Sequence, residues 1–174
     1  RHAAGAGLAV DYLVGRAEAL PFATGHFDVV ICADALEHVQ YLEGAVAESA
    51  RVLRPGGGYL YETVNRTILS WLVAIKLLQD WPPTRLLPPN IHAFEKFIRP
   101  AELRELMDFR GIEPRDMTGL WPNEGPVKIV LTALRLKLGR IAPAEAALRL
   151  ALQASRRTAM SYAGYGVRRG ERAR

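Results

Sequence analysis

An α/β fold is the class this sequence predicts, and three observations predict it. Phe27-Asp28-Val29-Val30-Ile31-Cys32 is an almost continuous apolar run, as expected of a strand buried on both faces of a parallel sheet. Glu43 to Leu53 follows as an amphipathic helix with Ala47, Ala50 and Leu53 on one side. Arg54-Pro55-Gly56-Gly57-Gly58 stops that helix sharply, and Tyr59 to Val64 reads as a second strand. Strand, helix, glycine turn and strand in succession build an α/β domain.

The remaining elements follow in order. His2 to Leu8 reads as a helix closing on Gly5 and Gly7, and Asp11 to Val14 as a short strand. Arg16 to Gly25 is a loop, and Asp34 to Val39 turns off the end of the first long strand. Ile68 to Gln79 is helical, and the prolines at 82, 83, 88 and 89 break the chain after it. Pro100-Ala101-Glu102 opens a helix through Leu103, Leu106 and Met107 that stops near Gly111. Ile112 to Thr118 is a strand, Val127 to Leu138 and Ala144 to Arg157 are helices, and Thr158 to Val167 is a last strand.

Composition narrows the function classes. The 174 residues are 49% apolar and 24% charged, a folding composition with room for one domain over residues 1–174. A single cysteine, Cys32, excludes a disulfide scaffold and a multi-cysteine metal site, and its apolar surroundings make it strand core. The longest nearly apolar run, Ile68 to Leu78, holds a lysine and falls short of the ~20 residues that span a bilayer. Charge is uneven: residues 1–126 hold 12 basic and 16 acidic residues, net −4, and residues 127–174 hold 11 basic and 2 acidic, net +9. Such an excess favours an anionic partner. Nucleic acid is not the expected one, because few aromatics interleave the basic residues before Tyr162 and no recognition motif is present.

Three blocks carry a family resemblance. They are Gly15-Arg16-Ala17-Glu18-Ala19-Leu20-Pro21-Phe22, then Phe27 through Val39 with its Asp34-Ala35-Leu36-Glu37-His38 segment, then Val52-Leu53-Arg54-Pro55-Gly56-Gly57. In this order they resemble the class I S-adenosylmethionine (SAM)-dependent methyltransferases. Thr63-Val64-Asn65-Arg66-Thr67-Ile68-Leu69-Ser70-Trp71, His92-Ala93-Phe94-Glu95-Lys96-Phe97 and Met160-Ser161-Tyr162-Ala163-Gly164-Tyr165 narrow it to the ubiquinone-biosynthesis O-methyltransferases. The resemblance covers about residues 1–122 and 158–170. It implies a Rossmann-like sheet with flanking helices and an antiparallel last strand. It also implies that the family's glycine-rich SAM loop and ribose-binding acid lie before Arg1, so that the sheet is incomplete and the chain an N-terminally truncated methyltransferase, inactive alone. Residues 68–91 and 123–157 are expected to be helical insertions, and 123–157 is longer and more basic than the family leads one to expect.

Asp34, Glu37 and His38 stand at i, i+3 and i+4, which on a helical turn projects them from one face. They follow the C-terminal end of a buried strand, where open α/β sheets place their ligands. Two carboxylates and an imidazole suit a divalent ion such as Mg²⁺, which would lower the pKa of a phenol hydroxyl. In the resembled family a Glu-x-x-Glu-His segment has this role. His38 can alternatively take the proton itself. Glu37 and His38 could instead merely brace the turn. His92 belongs to a segment resembling the family's lid and could reach a substrate oxygen or the metal, or simply pack in a loop. The resemblance places Ala17 and Glu18 along the adenine of SAM and Ala33 against SAM at the strand end. The implied activity is methyl transfer from SAM to a polyprenyl phenol or catechol of ubiquinone biosynthesis. Another small-molecule methyltransferase, or a non-catalytic membrane-binding fragment, is the alternative.

The apolar helix Ile68 to Leu78, with Trp71, Lys76 and Trp81, has the residues of a lipid interface. Basic residues of 127–157 would add roughly 1 kcal/mol each near an anionic leaflet. These helices could equally cover the sheet or a dimer seam. The expected location is cytoplasmic, peripheral on the inner face of a bacterial membrane.

Overall fold

The computed structural model describes residues 2–170. Strand β1 (Phe27–Ala33) lies parallel to β2 (Leu53–Val64), and the crossover that a parallel pair needs is α2 (Leu42–Val52), preceded in the chain by the short α1 (His2–Gly5). Helix α2 buries Ala45, Val46, Ser49, Ala50 and Val52. It passes directly into β2, the amide of Leu53 bonding the Ser49 carbonyl. The Arg54–Gly58 turn is absorbed into β2 as a bulge: Phe27 pairs with Leu53, but Val29 pairs with Gly58. Gly57 is required there, since a Cβ would stand 2.9 Å from the carbonyl oxygens of both Arg54 and Asp28.

The other strands are β3 (Ile112–Pro122), β4 (Leu152–Ser155) and β5 (Ser161–Arg168), and the sheet order is β1-β2-β5-β3-β4. As expected, β5 is antiparallel to its neighbours, here β2 and β3. Three more helices flank the sheet: α4 (Pro100–Phe109), α5 (Pro126–Lys137) and α6 (Pro143–Leu150). A core of Leu36, Val46, Leu53, Tyr59, Leu103, Met107, Ile112 and Tyr162, with others, joins α2 and α4 to one face of the sheet. The helix at Ile68 also forms: α3 (Ile68–Ser70), capped reciprocally by Thr67 and Ser70, continues as a π-helical stretch, Trp71–Asp80. No helix of the described residues is long and apolar enough to cross a membrane.

Four expectations need correction. Asp11–Val14 is not a strand: residues 8–15 are exposed coil, and the sheet offers residues 11–14 no strand partner among the described residues. Strand β1 is not buried on both faces, because Val29 (49% exposed) and Ile31 (69%) stand on an uncovered face of an edge strand. The sheet is mixed rather than parallel with one reversed strand, since β1–β2 is its single parallel neighbour pair. Ala144–Arg157 is not one helix. It ends at Leu150, and Leu152–Ser155 pairs antiparallel with Gly119–Pro122 of β3. Pairing with the free edge of β3 overrides the helical preference of an alanine-rich segment.

Candidate active site

The C-terminal ends of β1 and β2 lie side by side, Ala33 opposite Glu62. Asp34 leaves β1 with a left-handed backbone (φ 48°), its amide donating to the Glu62 carbonyl at 3.2 Å. Aspartate tolerates this conformation better than most residues. A single 3-10 turn, Leu36–His38, follows. It sends Leu36 into the core and buries Glu37 (2% exposed), leaving His38 exposed.

Glu37 is held from the neighbouring strand: Thr63 Oγ1 donates to Glu37 Oε2 at 2.8 Å. Burial pushes the Glu37 carboxyl above the ordinary range, and nearby Asp34 adds to this against the Thr63 bond and His38. Glu62 is raised too, by burial and by Asp34 and Glu37. The strand ends thus bring three carboxyl groups together, and their proximity opposes the ionisation of Glu37 and Glu62.

His92 arrives from the proline-bounded loop. Its ring stacks on His38 (centroids 5.2 Å, planes 21° apart) and meets Phe97 edge-on at 5.7 Å. Burial, then His38, holds its imidazole below the ordinary histidine value. Its Nδ1 is buried without a hydrogen-bond partner. One ligand atom each from Glu37, His38 and His92 lies within 4.8 Å of the others.

Of the expected trio Asp34, Glu37 and His38, the structure brings Glu37 and His38 together with His92, and Asp34 does not share their 4.8 Å grouping. The face-sharing spacing assumed an α-helical turn, whereas Asp34 precedes a 3-10 turn with its backbone reversed. The donors fit a divalent cation, which would offset the cost of an ionised buried Glu37 and give His92 Nδ1 a partner. One carboxylate and two imidazoles suit a borderline metal such as Zn²⁺ better than Mg²⁺, which prefers oxygen.

Asp34 lines an adjoining open cavity of about 430 Å³ with Ala17, Glu18, Ala35 and His38. Glu18 Oε1 is already engaged, accepting from the amides of Gln40 (2.9 Å) and Tyr41 (3.2 Å), so its carboxylate braces the approach to α2. Ala33 is exposed and does not line this cavity. Two contributors were missed from sequence, Thr63 and Gln79. Gln79, a buried polar residue in an apolar helix, bonds the backbone of His92 twice.

A family model described as a methyltransferase domain matches residues 1–61. The ubiquinone biosynthesis O-methyltransferase of Sinorhizobium fredii is 37% identical over 122 residues, covering 70% of this chain and 48% of that protein. That of Escherichia coli O127:H6 is 38% identical over 124 residues, covering 70% and 50%. Among solved structures, a SAM-dependent methyltransferase from Thermotoga maritima superposes with TM-score 0.58 at 18% identity, covering 96% of this chain and 67% of the other. One from Aquifex aeolicus gives 0.53 at 11%, covering 95% and 59%. At such identities these two show the fold alone. Over residues 1–61 the chain matches the methyltransferase-domain family, and its fold is that of the SAM-dependent methyltransferases. It is homologous to the ubiquinone biosynthesis O-methyltransferases, and it spans about half the length of the curated relatives it matches. The matched methyltransferase family implies SAM as methyl donor.

Proposed function

We propose that the chain carries the substrate-side half of a SAM-dependent O-methyltransferase acting on a polyprenyl phenol or catechol of ubiquinone biosynthesis. The convergence of Glu37, His38 and His92 beside the open cavity supports this reading most directly. Bound SAM supplies a methyl group on a positively charged sulfonium, which the acidic strand ends at Asp34, Glu37 and Glu62 favour electrostatically. The loop at Ala17 and Glu18 offers backbone amides to the adenine, with Glu18 bracing it. His38, exposed toward the cavity, accepts the phenol proton at an imidazole nitrogen, leaving the oxygen as nucleophile. His92, neutral and partly buried, closes one side of the substrate oxygen and excludes water. In the alternative arrangement a divalent cation held by Glu37, His38 and His92 would supply Lewis acidity toward that oxygen, with His38 then a ligand and not the base.

The test is transfer of labelled methyl from SAM to a polyprenyl catechol by the full-length gene product that contains this chain. His38→Ala is expected to lower kcat by about 10²–10⁴-fold with the fold retained. Undiminished turnover in that variant, or no transfer to any phenol or catechol, would refute the reading.

A second part of the reading is peripheral attachment to an anionic membrane surface, on the cytoplasmic face of a bacterial membrane. Ile68, Trp71, Leu72 and Trp81 form an exposed apolar group, Lys76 lies over the Trp71 ring at 5.5 Å, and residues 127–174 carry the excess positive charge. Co-sedimentation with phosphatidylglycerol vesicles is expected, weakened by Trp71→Ala; equal recovery with and without vesicles would argue for a chain that stays in the aqueous phase.

A further inference from the structure

We propose that Gln79 is the positioning residue that fixes His92 in the site, a proposal that rests on reading Glu37, His38 and His92 as the working cluster. His92 lies in a loop without a strand neighbour, so its own backbone has no ladder to join. The Gln79 side chain supplies one. His92 N–H donates to Gln79 Oε1 at 2.8 Å, and Gln79 Nε2 donates to the His92 carbonyl at 3.3 Å. Together these reproduce the two-bond exchange of a paired strand residue. Gln79 is 3% exposed, at the end of the Trp71–Asp80 helix. Its amide orientation is set by chemistry: Nε2 also donates to Asp80 Oδ1 at 3.2 Å, and Asp80 in turn pairs with Lys76 at 2.6 Å. An ionised carboxylate only accepts, so the nitrogen must face it and the oxygen must face the His92 amide.

The His92 ring has no comparable anchor. Its Nδ1 is unpartnered, and its neighbours are ring faces and edges, those of His38 and Phe97. Stacking of this kind tolerates sliding, whereas two backbone hydrogen bonds do not. The location of the imidazole is therefore set from behind, by the helix that carries Gln79, and the ring is held at the cluster through its backbone.

The test compares the full chain with Gln79→Met, which keeps length and apolar bulk but makes neither bond. Two readouts are taken: the nuclear Overhauser contact between the His38 and His92 ring protons, and Co²⁺ affinity from its visible absorption. Q79M is expected to keep native circular dichroism, lose the ring contact and weaken Co²⁺ binding about tenfold, as loss of a partner behind a ligand does. In a His92→Ala background the same change should leave Co²⁺ affinity unaltered. An intact ring contact in Q79M, or an equal loss of Co²⁺ affinity with and without His92, overturns the proposal. If the unmutated chain binds no Co²⁺, the metal reading fails and the ring contact alone judges Gln79. If Q79M does not fold, amide exchange in the unmutated chain decides: the His92 N–H should exchange far more slowly than that of exposed Ile91, and equal rates overturn the proposal.

Discussion

Replacing Tyr162 by phenylalanine isolates one hydrogen bond at the centre of the sheet. Tyr162 is fully buried, and its hydroxyl donates to the Ile98 carbonyl at 3.1 Å. Ile98 is itself buried, and its amide donates to Val64 of β2 at 3.0 Å. The pair thus ties β5 to the segment that leads into α4. Burial holds the phenol far above its ordinary pKa, so the hydroxyl remains a donor at any working pH. Phenylalanine keeps the ring packing and removes the donor, leaving a buried carbonyl unsatisfied. Such a loss costs about 1–3 kcal/mol. For a chain of this size each kcal/mol corresponds to a Tm change of roughly 2–4 °C, so a fall of about 3–6 °C is expected for a cost near 1.5 kcal/mol. Urea denaturation should show a lower midpoint with an unchanged slope. Tyr165→Phe, on the same strand but 45% exposed, should stay within about 0.5 kcal/mol of the parent. Equal stability of Y162F and the parent, or equal losses in the two variants, would refute the assignment of the cost to that bond.

Three further outcomes are expected. Glu48 is held below its ordinary pKa of 4.5, first by Arg51 and also by the Leu20 amide. Its stabilising contribution is present above 4.5 and lost as pH falls through the folded value, so Glu48→Gln should flatten the acid limb of a stability-against-pH curve. At Gly164 a Cβ would stand 2.5 Å from Tyr61 Oη and 2.6 Å from the Asp116 carbonyl; Gly164→Ala should cost about 1–3 kcal/mol in denaturant titration, whereas Gly125→Ala, into open space, should not. Ile31→Lys, on the uncovered face of the edge strand β1, should lower aggregation in light scattering while shifting stability by less than about 0.5 kcal/mol.

What was legible in the sequence were features decided within ten residues. The apolar run of β1, the small-residue face of α2, the Pro-Gly-Gly stop and the Pro100 helix start each carry their own cause. What was not legible was settled by partners distant in the chain. Residues 152–155 read as helix because alanine favours it, and they pair as a strand because the outer edge of β3 was free. The grouping of Glu37 and His38 with His92 in place of Asp34 was not legible because a single turn has no periodicity to separate α from 3-10 geometry. His92 could be named as a candidate, but not its stacking on His38, which depends on how a loop from residue 81 to 93 returns over the sheet. Gln79 leaves no pattern, since a side chain bonding a backbone 13 residues away is invisible to spacing rules.

The place of β5 has a consequence for biosynthesis. Of the described strands the one latest in the chain lies in the middle of the sheet, with Gly58–Val64 on one side and Ile112–Leu120 on the other. Until Ser161–Arg168 emerge from the ribosome, β2 and β3 have no common partner and the nascent sheet exists as two separated halves. Both halves then expose unpaired backbone during translation, which is when a chaperone would find them. Closure requires contacts of long sequence separation, and these form slowly. A stop codon at residue 160 would therefore remove the seam of the sheet, not a dispensable tail.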